Sequence, residues 1–173
     1  MNTELFFPTG LQPSAIPLTI VCGPPAAGKS RYVDKRAQPG DTVIDLDRII
    51  VETFGERHSR TDDFGYCARG LALRNERLIT LATASRGIAW FVTTAAKAEV
   101  RQSWCNMLQP LQLILIRTPL HVCIARIAHD PARNRHKRSQ ERIMREWWRD
   151  YAPREGDTVI ENSWHRVPGE DAA

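Results

Sequence analysis

The sequence predicts an α/β fold: a parallel sheet of about five strands with helices on both faces. Three observations carry this. The segment Leu18 to Ser30, LTIVCGPPAAGKS, joins a branched apolar run to a glycine-rich turn and then to helix-forming sequence. Short apolar runs recur at 42–46, 88–93, 111–117 and 158–161, separated by stretches with helical apolar spacing. The chain has 173 residues, long enough for one well-cored domain and short for two. Strands that alternate with helices pair in parallel, because each crossover helix returns the chain to the same edge of the sheet.

Residues 1–17 carry three prolines and one glycine and no clear period, which predicts an extended lead-in; a domain over 18–165 and a tail over 166–173 complete the expected organisation. Strand one covers Leu18 to Cys22, and the helix after the turn runs to Ala37. Gln38-Pro39-Gly40-Asp41 is turn chemistry, and a second strand, Thr42 to Leu46, leads through Asp47 into a short helix from Arg48 to Phe54. Gly55 to Gly65 reads as a polar loop and Tyr66 to Ser85 as a helix, before a third strand over Ile88 to Thr93. A helix over Lys97 to Leu108, a fourth strand over Leu111 to Arg117 and a helix opened by Pro119 follow. A basic segment, Asp130 to Ser139, precedes a helix over Gln140 to Tyr151 and a last strand at Thr158 to Glu161.

Composition narrows the classes. Hydrophobic residues make up 42% and charged residues 25%, ordinary for a soluble globular protein. No apolar run approaches the roughly 20 residues that span a bilayer, and Met1 to Pro17 lacks the basic and apolar regions of a signal peptide. Cys22, Cys67, Cys105 and Cys123 have no C-x-x-C spacing, so neither a zinc site nor a disulfide framework is expected, and a reducing cytosol fits. Net charge is +4, and nine Lys/Arg against three Asp/Glu fall between Arg117 and Arg149. That bias points to phosphate or nucleic acid as partner.

Gly23-Pro24-Pro25-Ala26-Ala27-Gly28-Lys29-Ser30 is a complete G-x-x-x-x-G-K-[ST] match. Gly23 and Gly28 permit backbone conformations that let successive amides turn inward on an anion, and the helix beginning near Gly28 adds its N-terminal N–H groups. Lys29 is expected on the β- and γ-phosphates of ATP and the Ser30 hydroxyl on Mg²⁺, with Arg31 beside them.

Asp45-Leu46-Asp47 is the second signal, because ligands gather at the carboxyl ends of parallel strands. Asp47 is expected to take the proton of an attacking hydroxyl and to share the metal with Ser30. Asp45, on the same side by the strand period of two, is expected to order metal-bound water; capping of the next helix is the plain structural alternative for either carboxylate. Arg126 and Arg133 are the preferred cations of a basic flap that balances phosphoryl charge and excludes water. Weaker candidates are Arg101, which either reaches an acceptor phosphate or stands as a surface cation, and Thr93 and Thr94 at a strand end. Trp147 and Trp148 are expected to pack the last helix onto the sheet. No acidic residue closes strand three, which argues against motors and helicases.

CGPPAAGKSRYV, VIDLDRI, WFVTTAAKAEVRQSW and the pattern P-x6-R through Pro119 and Arg126 resemble the kinase half of phage-type polynucleotide kinases. They are closer still to small phage and prophage P-loop proteins labelled AAA or kinase-like ATP-binding proteins. The resemblance runs from Leu18 to Tyr151. It implies a three-layer P-loop NTPase fold with a basic lid, Mg²⁺ and ATP as cofactors, Asp47 as base, and a lid arginine near Arg126 or Arg133. The chain departs from the pattern where those kinases carry an arginine three residues after the base. Here that position is Ile50, and only the register Asp45 with Arg48 restores it. Those kinases also have an aspartate where this chain has Thr93. The expected activity is γ-phosphoryl transfer to a hydroxyl, foremost a nucleic-acid 5′-OH. The alternatives are a nucleotide, nucleoside or other small-molecule kinase, and a nucleic-acid-binding ATPase or accessory factor in phage DNA metabolism, in the host cytoplasm.

Overall fold

In the computed structural model, which describes residues 7–55, 64–130 and 137–162, five strands form one parallel sheet in the order β2-β3-β1-β4-β5. The elements are β1 (Leu18–Cys22), α1 (Lys29–Asp34), β2 (Thr42–Asp45), α2 (Leu46–Phe54), α3 (Phe64–Thr80), a short 3₁₀ turn at Leu81–Thr83, β3 (Ala89–Thr93), α4 (Ala98–Leu108), β4 (Gln112–Arg117), α5 (Leu120–Ala128), α6 (Lys137–Asp150) and β5 (Asp157–Glu161). Every strand and helix expected from the sequence is present. The first helix is shorter than expected, ending at Asp34, because residues 35–37 tighten into a C-terminal turn closed by Lys35, Arg36 and Ala37 amides. The expected loop over Gly55 to Gly65 and the basic segment before Lys137 lie largely outside the described residues.

β1 is buried along its whole length because it has neighbours on both sides and helices on both faces. The period of two then sorts the sheet into two cores. Leu18, Ile20, Cys22, Ile44, Phe91, Leu113 and Leu115 share the larger core with Ile49, Leu78, Trp104, Leu108 and Trp147 from the helices. Val21, Trp90, Val92, Ile114 and Ile116 face the other way, against Val33 and Tyr32 of α1. A third cluster joins Cys123 and Ile127 of α5 to Met144 of α6, with Ala26 of the glycine-rich turn against it.

The strand order sets the site. From β1 the chain crosses over β3 to β2, comes back to β3, and only then passes to β4 on the far side of β1. β1 is therefore the point where the winding reverses, and its carboxyl end opens a crevice between flanking connections. The turn at 23–28 leaves β1 at that crevice. β2 is one place removed from β1, with β3 between them.

Arg101 is corrected by the structure. It is fully buried on α4, its Nε 2.7 Å from Asp157 Oδ2, and its guanidinium donates to the carbonyls of Ala95, Ala96 and Ala152. Every group it presents is committed to holding α4, the β3–α4 connection and β5 together, so it does not reach an acceptor. Trp147 packs the last helix inward as expected, with its indole N–H donating to the Thr94 carbonyl and its ring stacked on Tyr151 at 5.3 Å.

Candidate functional site

The loop is held open by backbone geometry. Gly23 has φ +151° and Gly28 φ +94°, and a side chain at Gly23 would overlap the carbonyl of Ile116 on β4. Ala26 also adopts a left-handed φ of 60°, a conformation costly for a residue with a Cβ. Pro24 fixes its own φ and accepts a turn hydrogen bond from the Ala27 amide at 3.2 Å. The result is a rigid bend that ends at the N-terminus of α1.

The Lys29 ammonium lies inside this bend, 3.0 Å from the Gly23 carbonyl and 2.8 Å from that of Pro24. Ser30, one residue into α1, donates to Asp45 Oδ2 at 2.6 Å. Asp45 Oδ1 accepts the Asp47 amide at 3.0 Å, so one carboxylate both caps α2 and receives the loop serine. Burial lifts the Asp45 carboxyl above its ordinary pKa, opposed by the Ser30 hydrogen bond; the nearby Asp47 charge adds to the rise and Lys29 works against it.

The two aspartates differ in placement from the strand-period expectation. β2 ends at Asp45 and α2 begins at Leu46, earlier than the expected Arg48, so Asp47 stands in the first helical turn and is exposed. The period of two stops at Asp45 and does not carry to Asp47. The capping alternative holds for Asp45. The residue hydrogen-bonded to Ser30 is Asp45, whereas sequence reasoning paired Ser30 with Asp47 for the metal.

Arg126 reaches the loop from α5, its Nη1 3.0 Å from the Ala26 carbonyl and close over Gly28. Arg133 lies outside the described residues. Arg31, in the first turn of α1, is exposed. Thr93 is buried at the end of β3, in register with Cys22 of β1, and Thr94 gives its carbonyl to Trp147. Cys22, at the floor of the crevice, is pushed up to about 12 by burial and stays a neutral thiol.

Two residues of the site were not singled out in the sequence. Thr118, after β4, donates to the Ala27 carbonyl at 3.0 Å, and Asn162, after β5, donates to the same oxygen at 2.9 Å. Both lone pairs of that carbonyl are thus taken, which fixes the peptide plane whose N–H belongs to Gly28. The available signal was position: both residues immediately follow a strand whose carboxyl end flanks the loop.

The group of backbone amides, ammonium and paired oxygen donors fits a Mg²⁺–triphosphate. Mg²⁺ takes few protein oxygens and keeps several waters, and Ser30 with Asp45 offers two adjacent oxygens beside the amine that would meet the phosphates. Among the described residues no group of three or more His, Cys, Asp or Glu is placed to hold a metal ion. No described helix is long and apolar enough to cross a membrane.

Among solved structures, the chain is similar to TT1252 from Thermus thermophilus, at 17% identity and a TM-score of 0.50 over 86% of this chain and 89% of that one. It also matches a shikimate kinase from Acinetobacter baumannii in complex with shikimate, at 16% identity and a TM-score of 0.46 over 87% and 86%. A chain of the PezAT chromosomal toxin–antitoxin system of Streptococcus pneumoniae matches at 16% identity and a TM-score of 0.45, over 93% of this chain and 77% of that one. No curated protein matches the sequence. The family model described as an AAA domain matches residues 18–154, spanning the phosphate loop, all the strands but the last and the arginine-bearing helices, and the chain belongs to that family.

Proposed function

We propose that this protein is a Mg²⁺- and ATP-dependent phosphotransferase that moves the γ-phosphoryl group to a hydroxyl, foremost the 5′-OH of a nucleic acid. The observation that carries the reading is the 2.6 Å hydrogen bond between Ser30 and Asp45, set beside a Lys29 ammonium that lies within the glycine-rich loop. Bound Mg²⁺ would supply charge neutralisation between the phosphates, with Ser30 and Asp45 as the protein oxygens nearest to it. Lys29 exchanges two carbonyls for phosphate oxygens. Arg126, already at the loop, is placed to balance charge on the transferring group. Asp47, exposed in the first turn of α2, remains the proposed base, because a base must meet an acceptor arriving from solvent.

The polynucleotide acceptor rests on the resemblance of the loop, VIDLDRI and Pro119–Arg126 segments to phage-type polynucleotide kinases. Incubation with γ-labelled ATP, Mg²⁺ and three acceptors tests it: a 5′-OH oligonucleotide, a nucleoside monophosphate mixture, and buffer alone. Label on the oligonucleotide is the expected outcome. Label on the monomers alone makes the protein a small-molecule kinase, and free phosphate alone makes it an ATPase.

A further inference from the structure

Helix α6 carries a second feature that the phosphate loop does not use. Arg138, Arg142, Arg145 and Arg149 recur at intervals of four, three and four residues, and all four are exposed. At 100° per residue this places them within one narrow stripe, running about 16 Å along the helix at 1.5 Å per residue. The opposite face, with Met144 and Trp147, is buried against α5 and the larger core. Glu141 and Glu146 flank the row; Arg142 pairs with Glu146 at 3.0 Å and Arg149 with its neighbour Asp150 at 2.8 Å. Arg138 and Arg145 have no ion pair among the described residues. The row therefore keeps a net positive charge and two uncommitted guanidiniums.

We infer that this stripe is a binding surface for the phosphate backbone of a single nucleic-acid strand. Guanidinium groups match phosphate oxygens in a bidentate fork, and a row of them at 4.5–6 Å steps reads a repeating anion better than one compact charge. The direction of the row supplies the second argument. Trp147, on the buried face of α6, donates to the carbonyl of Thr94, so the C-terminal half of the helix that carries the row packs beside the carboxyl end of β3. A strand laid along α6 would run toward the end of the sheet at which the phosphate loop also lies. The inference rests on the proposed phosphotransfer for its purpose, but the binding surface itself does not depend on it.

The test is fluorescence anisotropy with a labelled single-stranded 5′-OH oligonucleotide across a salt series. The variants are Arg142→Gln/Arg145→Gln/Arg149→Gln and, as a control on other surfaces, Arg36→Gln/Arg77→Gln/Arg86→Gln. The stripe variant should bind about tenfold more weakly or worse at low salt, with a log–log salt slope reduced by about two, since each single-strand phosphate contact contributes about 0.7. The control should change little, and both should keep the ATP affinity of the parent. Unchanged oligonucleotide binding in the stripe variant overturns the proposal, as does binding of the parent to anionic vesicles but to no oligonucleotide. Stripe-dependent binding without label transfer leaves this inference standing and removes the kinase reading. Label transfer with stripe-independent binding does the reverse.

Discussion

A single carboxylate shows how the site is built at the cost of stability. Asp45 is buried, and burial raises its carboxyl against the hydrogen bonds from Ser30 and the Asp47 amide and the nearby Lys29 charge. Its folded pKa is raised above the unfolded value, so its contribution to stability is full below that value and is lost as pH rises through the folded one. Asp45→Asn keeps an acceptor for the amide and removes the buried charge. This variant should be at least as stable as the parent near neutral pH, with its advantage growing from acid toward neutrality, as denaturant unfolding at several pH values would show. Phosphoryl transfer should be lost in the same variant, and a destabilised Asp45→Asn would mean that the charge is held more favourably than its burial implies. Asp47→Asn should behave differently: unchanged stability and nucleotide affinity, with transfer slowed about a hundredfold or more if it is the base. Single-turnover rates with a 5′-OH acceptor distinguish the two aspartates.

Between elements, the phosphate loop depends on strands that never touch nucleotide. The Ala27 carbonyl is held by Thr118 after β4 and Asn162 after β5, and β5 is a sheet edge whose side chains are largely exposed. Besides its ladder to β4, β5 is fixed by an ionic contact: the Asp157 carboxylate, at its start, is buried between Arg101 and Arg154. Removing one partner of a buried pair costs about 3–5 kcal/mol, and here loss of Arg101 leaves Asp157 to Arg154 alone and the three carbonyls served by Arg101 without their donor. Arg101→Met should lower stability by that order, measured by urea unfolding. Asn162→Ala removes one hydrogen bond of about 1 kcal/mol, and should raise the KM for ATP several-fold with little loss of overall stability. This chain of dependence explains what the sequence could and could not reveal. The loop was legible because its glycines, lysine and serine are local and their spacing is the geometry. The strands were legible because apolar runs of five residues have one good destination. Arg101 was misjudged because an arginine four residues into an amphipathic helix looks like a surface cation until a partner 56 positions away buries it. The Asp45–Ser30 contact was hidden for a related reason: the early start of α2 at Leu46 turns the second aspartate out of the strand register, and only the capping bond shows it.

The whole molecule is poised around a loop that is satisfied by itself. Lys29 is bonded to Gly23 and Pro24, Arg126 to Ala26, and Ser30 to Asp45, so nucleotide must replace interactions within the protein. Part of the binding energy is thereby consumed in exchanging partners, yet the triphosphate gains the Gly28 amide and the other loop N–H groups at the α1 terminus. Anything that binds only the folded chain stabilises it, by about 2.7 kcal/mol at one hundred times its Kd. For a domain of this size, each kcal/mol shifts Tm by about 2–4 °C, so Mg-ATP near that concentration should raise Tm by roughly 5–10 °C. Lys29→Ala frees two loop carbonyls and removes the amine that the phosphates require, so its own Tm should change modestly while the ATP-induced shift disappears. Omitting Mg²⁺ should reduce the shift in the parent and have no further effect in Lys29→Ala. The Asp47→Asn chain should keep the full shift, since the role proposed for Asp47 concerns the acceptor hydroxyl and not the triphosphate. A Lys29→Ala chain that is still stabilised by Mg-ATP as strongly as the parent would show that the triphosphate is held elsewhere, and the loop, however well formed, would then be scaffold.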